Sequence, residues 1–305
     1  MAQDTLERKI LNHLIMKKLA FTAFALIVFI SCSVQKHELQ HEPTEMTVMT
    51  FNIRLDHAGD KENNWKFRKE RVVKSIQFYE ADIAGMQEVL HNQLLDLQEK
   101  LKEYSYLGVG RADGKEKGEY SPLFYKTKKY AVISSGTFWL SETPDSAGRK
   151  GWDAAIERIA TWAKFKDKST GKSFFVLNTH FDHIGSVARL QSGTLIMQKV
   201  NELAGKMPVV VMGDFNASPD TQVVKNITNS SNPLHLSDSR AVSPLIYGPE
   251  WSFHDFGRTP LEERELIDYI FVKNRVKVLK YGVLAEQDGA GFLSDHCPVL
   301  VKVQF

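Results

Sequence analysis

The run Val209–Asn216, Val-Val-Val-Met-Gly-Asp-Phe-Asn, constrains the fold of this chain more than any other stretch. Four apolar residues rich in β-branching suit a buried strand and are too few for a helix. Gly213 ends the run. Asp214 and Asn216 follow two residues apart, which puts both side chains on one face of an extended chain. A carboxylate and an amide side by side at the end of a buried strand hold a water, a metal or a phosphate oxygen. The same pair also makes an ordinary polar turn. The choice depends on whether other strands end in matching chemistry.

Read in order, the chain repeats that arrangement. An alternating strand over Thr47–Asn52 ends in Asn52, and a short apolar strand over Ile83–Met86 runs into Gln87-Glu88. Ser173–Leu177 leads into Asn178-Thr179-His180, and Pro298–Val303 follows Ser294-Asp295-His296. Leu266–Val272 carries Asp268 inside an apolar strand, where a carboxylate is costly unless paired. Further strands are expected over 104–108, 121–125, 131–140 and 159–166. Helices are expected over 65–79, 92–102, 186–203 and 219–227, the first of them facing solvent. Residues 229–263 read as a polar loop region. Two successive blocks of strands and helices imply an α/β domain of two packed sheets with helices outside, spanning 46–305.

The N-terminus is separate. Lys17-Lys18 precede a largely apolar run, Leu19–Ile30, that is short for a bilayer span but suits the core of a signal peptide. Phe29-Ile30-Ser31-Cys32 resembles a bacterial lipobox, which makes Cys32 the expected lipidation site, and the lysine pair just after Met16 makes Met16 the expected start. Residues 1–32 are thus an extension plus signal peptide, and 33–45 a polar tether. The expectation is an exported protein of the bacterial cell envelope, lipid-anchored to a membrane, monomeric and without a protein partner. Residues 1–31 carry four of the 39 Lys/Arg and two of the 37 Asp/Glu, so 35 of each remain. A neutral chain lacks the basic excess of a sequence-blind nucleic-acid binder. With Cys32 lipidated, Cys297 stands alone and reads as a small core residue.

The strand-end groups are Asn52, Glu88, His180, Asp214, Asn216, Asp268, Asp295 and His296. Hard oxygen donors with histidines and no cysteine cluster point to Mg²⁺ or Mn²⁺, with a substrate phosphate completing the shell. Surplus carboxylates then activate water and orient histidine, the division of labour that metal-assisted phosphoester hydrolysis requires.

The motifs Met49-Thr50-Phe51-Asn52, Gly85-Met86-Gln87-Glu88-Val89, Asn178-Thr179-His180, Gly213-Asp214-Phe215-Asn216, Ile267-Asp268-Tyr269 and Ser294-Asp295-His296 occur in this order. In this the chain resembles the endonuclease/exonuclease/phosphatase superfamily over about 46–305, and within it secreted bacterial members. The resemblance implies a four-layer α/β/β/α sandwich. It also implies roles: Glu88 as main metal ligand, with Asn52 and Asp295 beside it; Asp214 and Asn216 on the attacking water or a phosphate oxygen; His180 on the charged phosphorus. Asp268 would orient His296, and both Asp214 and the Asp268–His296 pair stand as candidate bases. Arg158 falls where many relatives hold a phosphate. Glu119 is a candidate partner for His180, and Asp182, His183 and His254 are candidates for the substrate pocket.

These readings predict a divalent-metal-dependent phosphoesterase, with a phosphodiester as the leading substrate and lipid or sugar monoesters as the alternative. A binding protein on the same fold is the rival from another class.

Overall fold

The computed structural model describes residues 2–31, 43–289 and 291–305, which fall into two units, 1–42 and 43–305. The first contains helix α1 (Ala2–Ser31). Among the described residues no helix is long and apolar enough to cross a membrane. Cys32 and residues 33–42 of the expected tether lie outside the described residues.

The second unit begins slightly earlier than the sequence reading placed it. Thr44 and Phe305 exchange backbone hydrogen bonds at 3.0 and 3.1 Å, so residues 43–45 belong to the folded unit and not to the tether. Its strands are β1 (Glu45–Asn52), β2 (Ile83–Gln87), β3 (Tyr104–Leu107), β4 (Leu123–Lys126) and β5 (Tyr130–Trp139). Next come β6 (Ile159–Asp167), β7 (Ser173–His180), β8 (Val209–Asp214), β9 (Ser237–Asp238) and β10 (Ile246–Tyr247). The last are β11 (Asp268–Lys273), β12 (Lys277–Val283), β13 (Gln287–Asp288), β14 (Gly291–Phe292) and β15 (Val299–Gln304). One mixed sheet has the order β10-β12-β15-β1-β2-β4-β3 and the other β5-β6-β7-β8-β11-β9, while β13 and β14 pair alone. Helices α2 (Trp65–Phe78) and α3 (His91–Lys100) cover the first sheet, and α4 (Ser186–Ala204) and α5 (Gln222–Thr228) the second. The four-layer α/β/β/α sandwich is therefore present.

Strand periodicity explains how it forms. On β1, Met46 and Val48 enter the core between the sheets, whereas Met49 and Phe51 enter the core beneath α2 and α3. That alternation leaves Thr50 and Asn52 facing the second sheet. Close approach of the sheets requires Gly85, since a Cβ there would lie 2.6 Å from Met212 Sδ. Buried Asn178 then ties the layers, donating to Met86 O at 2.8 Å and Pro122 O at 2.9 Å. Gln87 Nε2 donates in turn to Asn178 Oδ1 at 2.6 Å. These bonds satisfy polar groups that would otherwise be costly between apolar layers.

Two expectations are corrected. The strand β12, Lys-Val-Leu-Lys-Tyr-Gly-Val, was hidden in the sequence by its lysines and Gly282, yet it pairs with β15 over six registered positions. Helix α2 is not simply a solvent-facing helix: Arg68, in its first turn, is fully buried and donates at 2.8 Å to the carbonyls of both Ile53 and Leu293. It also donates to Asn63 O at 2.5 Å. One guanidinium thus fastens three segments that flank the strand ends, and burial lowers its pKa to about 10.

Candidate active site

The strand ends meet on one rung. In β7–β8 pairing His180 lies opposite Asp214, and in β8–β11 pairing Asp268 lies opposite Asp214 from the other side. His180, Asp214 and Asp268 therefore share a face by register alone. Gly213 permits this packing, because a Cβ at that position would stand 2.1 Å from Thr179 O. From the facing sheet Asn52 reaches across, its Nδ2 donating to Asp214 Oδ2 and Glu88 Oε1, both at 3.0 Å. Its Oδ1 accepts from Arg54 N at 3.1 Å. Asn52 thus braces two carboxylates, while its Oδ1, with one bond accepted, keeps a second lone pair for the role of ligand expected of it.

Asp268 Oδ2 accepts from His296 Nδ1 at 2.8 Å and from Ser252 Oγ at 2.6 Å. His296 Nε2 lies 3.8 Å from Asp214 Oδ2, and His180 Nε2 lies 3.5 Å from the same oxygen. Burial opposes a proton on His296, but Asp268 above all, then Asp214 and Asp295, raise its pKa to about 10. Burial and the Asp268 charge push Asp214 up to about 7. Burial, with Arg158 and Arg111 nearby, holds His180 well below the usual imidazole value, so that ring is neutral. The three neighbours are thus a base that titrates near neutrality, a protonated imidazole and a neutral one.

Glu88 stands on a left-handed backbone, φ 61°, just past β2. Its Oε2 accepts from Leu55 N at 3.1 Å and lies 3.9 Å from Arg54 Nη1. Arg54, passed over in the sequence, is anchored to Asp60 by Nε at 3.1 Å and stands 3.7 Å from Asp295 Oδ2. Burial raises the Asp295 pKa and Glu88 pushes the same way, against His296 and Arg54. A second group, Asp214, Asp268 and His296, also has ligand atoms within 4.8 Å of one another. Its imidazole is already bonded to Asp268 and protonated, so it reads as a hydrogen-bonded relay. The hard-oxygen pair Glu88 and Asp295 fits a divalent cation better.

A cleft of about 650 Å³ opens above these groups, lined by Arg54, Glu88, Glu119, Arg158, His180 and His183. Asp214, Asn216, Phe253, Asp255, Asp295 and His296 also line it. Arg158 is buried, donates from Nη2 to His183 Nδ1 at 2.9 Å, and has Nε 3.6 Å from Asp182 Oδ2, while Nη1 has no hydrogen-bond partner among the described residues. Asn216, at φ 45°, donates its backbone N–H to Asp214 Oδ1 at 2.9 Å and its amide to Phe181 O at 3.0 Å.

Of the expected pocket residues, Glu119 keeps its place on the cleft, whereas Asp182 and His254 do other work. Glu119 is held by Arg111 through two bonds of 2.7 and 2.8 Å, and its Oε2 lies 4.0 Å from His180 Nδ1, so it faces the expected histidine without a hydrogen bond to it. Asp182 turns from the cleft and accepts backbone N–H groups of Ile184, Gly185, Ala155 and Ile156. Burial alone would raise its pKa; those donors and Arg158 lower it to about 2. His254 is buried and caps a turn, accepting from Gly257 N at 3.0 Å, and burial with the His296 charge lowers its pKa to about 4. Its sequence neighbours Phe253 and Asp255 line the cleft instead. Sequence reasoning missed both; their place on either side of His254 was the one signal that could have found them.

A sequence profile of the endonuclease/exonuclease/phosphatase family matches residues 49–296. The chain belongs to that family. It is 50% identical to an endonuclease/exonuclease/phosphatase from Bacteroides vulgatus, covering 85% of this chain and 98% of that one with a TM-score of 0.83. It is 38% identical to a mannosyl-6-phosphatase from Bacteroides thetaiotaomicron VPI-5482, covering 85% of this chain and all of that one with a TM-score of 0.81. It is also 24% identical to the CCR4-Not complex 3'-5'-exoribonuclease subunit Ccr4 of Mycosarcoma maydis, over 86% of this chain. The chain spans half the length of that relative. Members of this family are hydrolases of phosphoester bonds, and the phosphoesterase class follows for this chain.

Proposed function

We propose that this chain is an exported, divalent-cation-dependent phosphomonoesterase. The bridge from Asn52 to Glu88 and Asp214 carries the proposal, because it fixes a candidate metal ligand and a base of matched pKa around one point. Asp214, at about 7, accepts the proton of an attacking water, while protonated His296, at about 10, supplies one to the leaving alcohol. This divides between them the role that the sequence left open. Arg158, neutral His180 and the Asn216 edge surround the phosphoryl oxygens. Glu88 and Asp295 are the residues suited to a Mg²⁺ or Mn²⁺ ion, which would neutralise phosphoryl charge when bound.

Two observations favour a monoester over the diester first expected. The 38% identical neighbour over its full length is a mannosyl-6-phosphatase, whereas the exoribonuclease relative is only 24% identical. The balance of 35 basic and 35 acidic residues beyond position 31 offers no excess for tracking a polyanion. Export through the Leu19–Ile30 run and lipidation at Cys32 complete the proposal, placing the enzyme on the cell envelope as a monomer.

The test is phosphate release from p-nitrophenyl phosphate and a hexose 6-phosphate, against bis(p-nitrophenyl) phosphate, with Mg²⁺, Mn²⁺ or EDTA. Monoester turnover that EDTA and Glu88→Gln abolish is expected. Diester turnover exceeding monoester turnover would return the assignment to a phosphodiesterase. Palmitate labelling that survives in Cys32→Ala would remove the anchor.

A further inference from the structure

One wall of the cleft is unused by this chemistry. Phe253, Asp255 and Glu265 line it together with Ile267. The segment is stitched to the catalytic strand ends by backbone bonds. Ser252 N and Phe253 N both donate to Glu265 O, at 2.9 and 3.0 Å. His254 N and Asp255 N both donate to Asp295 O, at 3.0 and 3.2 Å. Cys297 N donates to Ser252 O at 2.7 Å. Asp255 and Phe256 hold left-handed φ values of 48° and 53°, a strained pair kept in place by those bonds. Strain of this kind persists where the surroundings over-determine it, and here it fixes Phe253 and Asp255 against the site.

The side chains of this wall share one character. The Phe253 ring packs edge-on to His296 with centroids 5.0 Å apart and stays half exposed, which sets an apolar plate beside the proton donor to the leaving group. Glu265 is exposed, and its one protein partner among the described bonds is the neutral hydroxyl of Ser218 at 2.8 Å. Arg258 holds both Asp255 oxygens, Nε to Oδ2 at 3.1 Å and Nη2 to Oδ1 at 2.6 Å, so Asp255 offers its remaining lone pairs as acceptors while the uncompensated charge of this wall rests on Glu265. Of the cleft's arginines, Arg54 is paired with Asp60, and Arg158 stands beside Asp182 and His183 on the phosphoryl side.

We propose that Phe253, Glu265 and Asp255 form the leaving-group subsite and select a neutral polyhydroxylated alcohol carrying a single phosphate. This rests on the phosphomonoesterase reading and adds what that reading leaves open, the class of alcohol. The C–H face of a sugar ring lies on the Phe253 plate, and its hydroxyls donate to carboxylate oxygens that only accept. A second phosphate on the same alcohol meets uncompensated Glu265 and is rejected by like-charge repulsion, as is a nucleic-acid strand.

The experiment compares kcat/KM for a hexose 6-phosphate and the corresponding hexose 1,6-bisphosphate, with p-nitrophenyl phosphate as a leaving group that lacks hydroxyls. The wild-type enzyme is expected to prefer the monophosphate by about tenfold or more, with the preference shrinking as salt is added. Glu265→Gln should cut the mono-to-bisphosphate ratio several-fold. Phe253→Ala should raise KM for the hexose phosphate, with recovery in Phe253→Tyr. Equal use of the two hexose phosphates by wild type, or a ratio that Glu265→Gln leaves unmoved, overturns the subsite while p-nitrophenyl phosphate turnover keeps the phosphomonoesterase reading intact. Failure to hydrolyse any monoester overturns that reading itself.

Discussion

Asn52 Nδ2 donates to Asp214 Oδ2 at 3.0 Å across the seam between the two sheets. The same nitrogen holds Glu88 Oε1 at 3.0 Å, so a single amide sets the spacing between the metal-facing and water-facing halves of the cleft. Asn52→Ala removes both bonds and lets two carboxylates drift apart. A fall of about 10²-fold in kcat is expected, with a smaller change in KM, because misplacement of reacting groups acts mainly on the transition state. Steady-state kinetics on a monoester checks this, and a loss confined to KM would contradict it.

Metal dependence has a readout apart from turnover. If Glu88 and Asp295 hold the ion, Mg²⁺ or Mn²⁺ at 100 times its Kd should stabilise the protein by about 2.7 kcal/mol. Thermal unfolding with and without the ion measures this shift, which should vanish in Glu88→Gln. An undiminished shift in that variant would place the ion elsewhere, with the Asp214, Asp268 and His296 group as the next candidate.

The Asp268–His296 pair predicts a pH dependence of stability in the metal-free protein. The folded His296 pKa, about 10, lies above the ordinary 6.5. The stabilisation from its proton is therefore complete below about 6.5 and is lost as pH rises through about 10. Denaturant unfolding at pH 6 to 10 should show a decline that Asp268→Asn flattens. For activity, Asp214 at about 7 sets an acid limb, with turnover rising as pH passes that value.

Asp182 is expected to act through the backbone and not through substrate. Its carboxylate accepts four N–H groups, from residues 155, 156, 184 and 185. Asp182→Ala leaves those donors unpaired and should cost roughly 2–3 kcal/mol, at the scale of one or two buried unsatisfied groups. Because those loops carry Arg158 and His183, KM should rise as well. A variant as stable as wild type in denaturant would refute this role.

Arg68 invites the same comparison. Its bonds to Asn63, Ile53 and Leu293 carbonyls predict that Arg68→Met destabilises by roughly 2–4 kcal/mol through stranded carbonyls, despite the gain in apolarity. Arg68→Lys should recover only part of it, since an ammonium lacks the planar fork. Equilibrium unfolding separates these outcomes.

Much of the site was legible in the sequence because strand chemistry is local. The alternation in Thr47–Asn52, the apolar run before Asp214 and the stranded carboxylate Asp268 each follow from a period of two and the cost of burying charge. Residues that act through distant partners left no such mark. Arg68 sits among the charges of an amphipathic helix and looks solvated, while Arg54 occupies a turn whose left-handed φ of 58° is set by contacts with other segments. Asp182 and His254 sit beside cleft-lining residues in the chain, and one step along a turn was enough to aim them inward to backbone N–H groups.

The sequence by itself determined which residues could do chemistry here, where strands would end, and that hard oxygen donors and histidines would gather. Only the tertiary structure decided how those residues are shared out. Register put His180, Asp214 and Asp268 on one rung, and sheet packing brought Asn52 within 3.0 Å of both Glu88 and Asp214. The physical reason is that side-chain direction is set by neighbours on the strand, whereas pKa and partnership are set by burial and charges tens to hundreds of residues away.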